Sequence, residues 1–389
     1  MKNKALLLLF IPFLFSCAGA PAPIIEDEIH GTPQIAEPPQ PVIDYLTIIA
    51  AGDNLFHPPI LKDFLKNGTY NFDPLYKLVK PYIEPADIAF VNQETVLGNA
   101  PYSGYPLFNT PKEAGAALVA AGFDIINQAT NHVMDQGVDG ILNTLNYWDT
   151  IPEVHCLGIH RSEESRSNNF CIVEKNNIRV GFLSYTYGTN YIPLPKDKSY
   201  MVSLIETEKM AQEIDAIRPL CDFLAVSMHW GIEYELEASA AQEKLSAFLA
   251  EHNVDVIIGH HPHVLQPMVV LPRADGGKTI CYYSLGNFAS AHVTSDKNLL
   301  LGGLMYLRLK KENGTLSLEE TGLIPVITHY EKDLTGFKIY PLSEYSDDLA
   351  AKHWKRAGDE EMTYEYYYKM TDGLFGTALM LRNPFASIE

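Results

Sequence analysis

The sequence predicts a layered α/β domain, on three observations. Between Tyr45 and about Ser290, short apolar β-branched runs alternate with amphipathic stretches of helical period. Nearly every apolar run leads into a polar cluster. At 389 residues the chain is long enough to bury one large core and carry a smaller appendage.

The chain opens with Lys2 and Lys4 ahead of an apolar stretch, Ala5–Phe15, so residues 1–16 read as a secretory leader too short for a stable membrane span. The run Leu14-Phe15-Ser16-Cys17 resembles a bacterial lipobox, in which acylated Cys17 anchors the protein to the membrane outside the cytoplasm. An ordinary leader with an incidental cysteine is the plain alternative. Residues 17–44 are rich in proline and poor in large side chains, as a semi-extended tether would be. The domain is expected over residues 45–330, and residues 331–389 as an extension packing on it.

The strand candidates are Leu46–Ala51, Asp87–Asn92, Asp124–Asn127, Arg179–Tyr185, Phe223–Met228, Val254–Ile258 and Thr279–Leu285. Three helices carry the clearest signals. Pro111–Ala121 starts on proline and stops at Gly122. Val138–Trp148 and Ser239–Glu251 each place their apolar residues on one face. Leu304–Leu309 and Leu316–Ile327 flank Asn313-Gly314, a hairpin signal. Tyr345–Glu389 is helical in pattern and rich in tyrosine, which reads as a packing helix with a sugar- or partner-facing surface as the alternative.

Composition restricts the partners. Removing the two lysines of residues 1–16 leaves 27 basic against 48 acidic residues, a net −21. Such a chain is repelled by nucleic acid, and no Lys/Arg cluster offsets this. Four cysteines remain after Cys17: Cys156, Cys171, Cys221 and Cys281. Their even number permits disulfides in an exported protein, and buried free thiols suit the same positions.

The polar clusters carry the chemistry. Strand runs lead to Asp53-Asn54, to Asn92-Gln93-Glu94, to Asn131-His132 with Asp135, to His229-Trp230, to His260-His261-Pro262-His263, and to Gly286-Asn287. Sites of open α/β sheets lie beyond the carboxyl ends of strands, so these six ends describe one site. There is no Gly-x-Ser-x-Gly elbow and no phosphate-binding glycine loop. Imidazoles, carboxylates and an amide suit hard or borderline divalent metals. The plain alternatives are helix caps for Asp53 and Glu94, a turn for Asn131, and a strand-ending turn for Asn287. Trp230 and Tyr234 read as pocket walls or as core.

Five segments, ADIAFVNQE (86–94), GFDIINQATNHVMDQG (122–137), HWGIEY (229–234), GHHPHVLQ (259–266) and YSLGNF (283–288), resemble the CapA family, which is associated with poly-γ-glutamate capsule synthesis. The likeness spans roughly residues 45–330. It implies a metallophosphatase-like four-layer αββα sandwich, two packed mixed sheets flanked by helices. It also implies one or two divalent ions (Mn, Zn, Fe, Mg or Ca) on Asp53, Glu94, Asn131, His229, His261 and His263, with Glu94 bridging. His132 would be the general acid or a phosphate contact, with Asp135 its orienting carboxylate; His57, His260 and Asn287 are secondary candidates. The sequence departs from phosphatases of this fold in lacking Asp-x-His at the first strand and in bridging through Glu94 in place of Asp, so it supports one ion more firmly than two.

Three functions follow from this. The first is an extracytoplasmic protein of capsule or envelope polymer assembly with a metal-dependent phosphoesterase-like or amide-handling site. The second is a non-catalytic, metal-containing lipoprotein that binds an anionic polymer or scaffolds a membrane synthase. The third is turnover of phosphorylated sugars or lipids.

Overall fold

The computed structural model describes residues 41–167, 170–273, 275–292, 294 and 296–385. The leader, Cys17 and most of the tether lie outside the described residues.

Fourteen strands build two mixed sheets. In chain order they are β1 (Ile43–Asn54), β2 (Ile88–Gln93), β3 (Ile125–Asn127), β4 (His155–Leu157), β5 (Cys171–Lys175), β6 (Ile178–Thr186), β7 (Phe223–His229), β8 (Val256–His260), β9 (Leu265–Pro272), β10 (Lys278–Leu285), β11 (Asn287–Ala289), β12 (Leu301–Glu312), β13 (Thr315–His329) and β14 (Lys338–Pro341). The first sheet runs β14-β13-β12-β1-β2-β3-β4, with β11 pairing on β1. The second runs β9-β10-β8-β7-β6-β5. In the first, β1, β2, β3 and β4 run parallel out to the β4 edge and only the other edge is antiparallel; in the second, β6, β7, β8 and β10 are parallel between two antiparallel edge strands.

Side-chain alternation explains the stacking. In β7, Phe223 and Ala225 join the large core shared by both sheets, while Leu224, Val226 and Met228 turn to a second core. Met210, Ile214 and Ile217 of α3 (Thr207–Ile217) and Leu249 of α4 (Ala240–Glu251) complete that second core. Phe90 of β2 stacks on Phe182 of β6 across the sheets, at 6.4 Å between ring centres. On the first sheet's side, α1 (Lys112–Ala121) adds Ala114, Leu118 and Ala121 to the shared core, and α2 (Gly137–Trp148) adds Trp148. The architecture is the expected layered α/β sandwich.

All seven strand candidates and the three helices are present, with no end shifted by more than three residues. The hairpin β12–β13 turns at Asn313 and Gly314, both in left-handed backbone. The strands the pattern did not reveal, β4, β5, β9, β11 and β14, lie at sheet edges or are short, where one-sided burial leaves little apolar signal. The first sheet also runs beyond residue 330, because β14 pairs on β13. Helix α5 (Tyr364–Phe375) packs by Tyr367 and Phe375, the latter against Tyr282 of β10. Its tyrosines are packing residues: Tyr366 and Tyr367 donate to Asn298 and to the Lys297 carbonyl. The four cysteines of the domain are free thiols. Among the described residues no helix is long and apolar enough to cross a membrane.

The two sheets meet where β1 ends. The Asp53 amide donates to the Gly286 carbonyl at 2.8 Å. This approach requires glycine at position 52, since a β-carbon there would stand 2.0 Å from the Gly286 carbonyl oxygen. Backbone cannot move aside as a flexible side chain can. Gly52→Ala is therefore expected to destabilise the domain by about 1–3 kcal/mol, read as a lower denaturant midpoint. An unchanged midpoint would show that the junction is softer than described.

Candidate metal centre

The junction of the sheets gathers the strand ends into one buried site. Asp53, at the end of β1, is fully buried. Its carboxylate accepts from Asn92 Nδ2 at 2.7 Å and from the His261 backbone N–H at 3.1 Å. Its Oδ2 lies 3.0 Å from His263 Nδ1. Behind it stands an amide relay: Asn127 Nδ2 donates to Asn92 Oδ1 at 2.6 Å, and the Ser184 hydroxyl donates to Asn127 Oδ1. The relay crosses from the first sheet to the second and fixes the Asp53 carboxylate.

Glu94 follows β2 and is 1% exposed, and neither of its carboxylate oxygens has a hydrogen-bond partner among the described residues. Buried carboxylates are ordinarily paired, because desolvation otherwise costs several kcal/mol. The Glu94 Oε1 atom lies 3.7 Å from His229 Nε2 and 3.7 Å from His263 Nε2. Around it the side chains form two groups that share Glu94, one with Asp53 and His263, the other with His229 and His261. Asn131 joins the second group: its Oδ1 is 2.9 Å from His229 Nε2. Two ligand atoms each ~2.1 Å from one ion stand about 3 Å apart, so this spacing suits shared ligation.

Electrostatics favours cations here. Burial pushes the Glu94 carboxyl well above its usual range, against the attraction of His263 and with the repulsion of Asp53 added. Burial would lower His263, but Glu94 and Asp53 outweigh it and hold its pKa at about 9. In the metal-free protein that proton occupies a place suited to a cation. Burial would raise Asp53, yet His263, His260 and Asn92 hold it below the usual value. Burial and neighbouring histidines lower His229, and take His261 down to about 3, which leaves neutral imidazoles with lone pairs free to ligate. The buried nitrogen His261 Nδ1 has no partner among the described residues. The residues present thus fit one or two divalent ions.

His261 and His263 adopt φ of 98° and 61°, a conformation that costs on the order of 1–3 kcal/mol for a non-glycine residue. The bond from the His261 amide to Asp53 helps to hold the turn.

The secondary candidates sit around the centre, outside these groups. His260 stacks on Phe90, 5.7 Å between ring centres, with Nδ1 3.6 Å from Asp53 Oδ1. Burial lowers its pKa to about 4 despite Asp53. His57 accepts from the Ala291 amide and lies beside His292. The Asn287 Oδ1 atom lies 3.1 Å from His263 Nδ1, so Asn287 orients that ring. His132 Nδ1 is 2.8 Å from Asp135 Oδ2, which also accepts from the Phe108 amide at 2.7 Å. The Asp135 carboxylate thus faces Nδ1 of the ring and not Nε2. His132, Asp135, His57 and His263 line one cavity of about 610 Å³.

Several alternatives fall away. Neither Asp53 nor Glu94 caps a helix: the next helix after Asp53 is Pro58–Phe64, capped at His57, and after Glu94 it is α1. Trp230 is a core residue, its indole donating to the Tyr283 carbonyl, whereas Tyr234 lines the cavity. Sequence reasoning missed Glu233, which groups with His261 and His263, and the roles of Asn92, Asn127 and Ser184. The run Asn92-Gln93-Glu94 flagged the position of Asn92 but not its partner.

Because the raised carboxyl of Glu94 disfavours the metal-free fold above the unfolded glutamate value of about 4.3, Glu94→Gln is expected to stabilise the chelated protein near neutral pH, on the order of 1 kcal/mol or more. The check is a denaturant titration in chelator; a lower midpoint for the variant would count against a destabilising buried charge.

The profile of the family described as bacterial capsule synthesis protein PGA_cap matches residues 47–292. The PGA biosynthesis protein CapA of Bacillus subtilis (strain 168) is 27% identical over 220 residues, covering 56% of this chain and 56% of that protein. The capsule biosynthesis protein CapA of Bacillus anthracis is 27% identical over 255 residues, covering 62% and 59%. The chain thus spans less than two thirds of either relative. Among solved structures, a phosphatase from Mycoplasma pneumoniae aligns with a TM-score of 0.44 at 15% identity, over 74% of this chain and 95% of that one. A calcineurin-like phosphoesterase from Bacillus subtilis gives 0.42 at 14% identity, over 84% and 100%.

Proposed function

The chain belongs to the bacterial capsule synthesis protein family PGA_cap, and from that premise we propose that it is an extracytoplasmic, metal-dependent phosphoesterase of envelope polymer assembly. The observation that carries this reading is Glu94, a buried carboxylate with no hydrogen-bond partner among the described residues, set between His229 and His263. Asp53, Glu94 and His263 would hold one ion, and Glu94, His229, His261 and Asn131 a second. Bound there, divalent ions act as Lewis acids toward a phosphoryl oxygen. The remaining work falls to the chain. The relay Ser184–Asn127–Asn92 keeps Asp53 in place. As water attacks phosphorus and the bond to the leaving oxygen breaks, His132, positioned by Asp135 on the same cavity, would give that oxygen a proton from Nε2 and recover one from solvent.

The test is turnover of a phosphomonoester and a phosphodiester by protein reconstituted with Mn, Zn, Fe, Mg or Ca. Hydrolysis that depends on metal supports the reading; none with any ion contradicts it. A binding or scaffold role toward an anionic polymer and a membrane synthase is the second reading. What favours a non-catalytic role is that no Lys or Arg lines the cavity among the described residues, where a transferred phosphoryl group often meets one; the same absence opposes a polyanion there, so in this reading bound metal would have to hold it.

The Leu14–Cys17 run supports a lipid anchor. Cys17→Ser is expected to release the protein from the membrane fraction or leave its leader uncut. A variant that fractionates and migrates as wild type would remove the anchor from the account.

A further inference from the structure

The cavity beside the metal centre has walls that the proposed chemistry does not use. Tyr105, Leu107, Tyr191 and Tyr234 line it, yet they are 74%, 47%, 104% and 42% exposed. Large side chains left in water at the mouth of a site suit a ligand that covers them.

Two of these tyrosines are tied to the site itself. The Tyr234 amide donates to the Pro262 carbonyl at 2.8 Å, within the turn that carries His261 and His263. Asn190, next to Tyr191, accepts from Asn131 Nδ2 at 3.2 Å. Tyr191 and Tyr234 also adopt φ of 62° and 70°, costing on the order of 1–3 kcal/mol each, so the fold holds the backbone that presents these side chains against strain.

The polar groups of the cavity narrow the ligand. Asp135, Glu233 and Asn190 offer oxygen acceptors, and no Lys or Arg is present among the lining residues described. In the adjoining segment Ile232, Tyr234 and Leu236 alternate with Glu233, Glu235 and Glu237, all exposed. A polycarboxylate chain approaching within the ~8 Å screening length would be repelled, and an anionic bilayer likewise. A ligand that brings uncharged apolar C–H faces and hydroxyl donors to this wall, with its one phosphate directed to the metal ions, avoids that repulsion along the wall. Tyrosine faces pack on such rings, and carboxylates and amides accept their hydroxyl protons.

We propose that this cavity binds the sugar of a glycosyl phosphoester, with the ring packed on the Tyr191 and Tyr234 wall and Glu233 accepting a hydroxyl beside the metal ligands. This rests on the phosphoesterase reading and names the substrate class that reading leaves open.

The experiment is calorimetric titration of the full-length protein, with and without bound metal. The probes are glucose 1-phosphate, methyl glucoside, glycerol phosphate, inorganic phosphate, penta-γ-glutamate and anionic phosphatidylglycerol vesicles. Glucose 1-phosphate is expected to bind more tightly than glycerol phosphate. Tyr191→Ala and Tyr234→Ala are each expected to weaken it about 2–13-fold, with inorganic phosphate unaffected. Methyl glucoside needs no metal, so tyrosine-dependent binding of it supports the sugar wall even if no phosphoester is bound or cleaved; that pattern would count against the phosphoesterase reading alone. Equal binding of glucose 1-phosphate and glycerol phosphate, or tyrosine variants that bind as wild type, overturns the proposal. So does tyrosine-dependent binding of penta-γ-glutamate or of vesicles without binding of the sugars.

Discussion

Replacing His261 by alanine is expected to strip the centre of metal and, with it, of hydrolysis. His261 stands on a turn held by the bond from its own amide to Asp53; its buried Nδ1 has no partner among the described residues, and one of its ring nitrogens groups with Glu94 and His229. A ligand on so fixed a turn loses little entropy on binding an ion. Changes to residues that merely orient ligands typically cost 10–100-fold in metal affinity, so loss of a ligand is expected to cost more than about 100-fold. Stability gives a second readout. Metal at about 100 times its dissociation constant stabilises the native state by about 2.7 kcal/mol. Wild type should therefore show a higher unfolding midpoint with metal than in chelator, and His261→Ala should show nearly the same midpoint in both. If His261→Ala retains metal and the metal-dependent midpoint, His261 is not a ligand.

His132→Ala is expected to behave in the opposite way. His132 is paired with Asp135 and lines the cavity, and it lies outside the groups that share Glu94. The variant should keep its metal and the stability that metal confers, while turnover falls by roughly 10²–10⁴-fold. A substrate with a good leaving group should lose less than one with a poor leaving group, because the missing proton then matters less. If His132→Ala loses metal as His261→Ala does, His132 belongs among the ligands. If it keeps both metal and full turnover, another group donates the proton.

The ligand candidates were legible because each closes an apolar run: Asp53 after Ile48–Ala51, Glu94 after Ile88–Val91, His229 after Leu224–Met228. Parallel strands place such ends side by side, so residues distant in sequence meet without any local motif. The pairing of His132 with Asp135 was legible from a spacing of three residues. The relay was not, because Ser184 and Asn127 lie on different sheets and 57 residues apart, and a buried Ser or Asn in a strand carries no signature of its partner. Tyr191 sits in a loop without periodicity, and only the structure shows that the loop is bonded to Asn131. Trp230 read as a wall or as core because it neighbours His229, and alternation along the chain turns its side chain into the core behind. Edge strand β9 is half exposed along most of its length, so its pattern was too weak to read.

The most direct test of the central claim is the metal content of the full-length protein, purified without added metal and measured by elemental mass spectrometry beside Glu94→Gln and His261→Ala. The account predicts one or two equivalents of a divalent metal in wild type and a large loss in both variants. Wild type that neither carries metal nor takes any up on reconstitution, or variants that bind it as wild type does, would contradict the account.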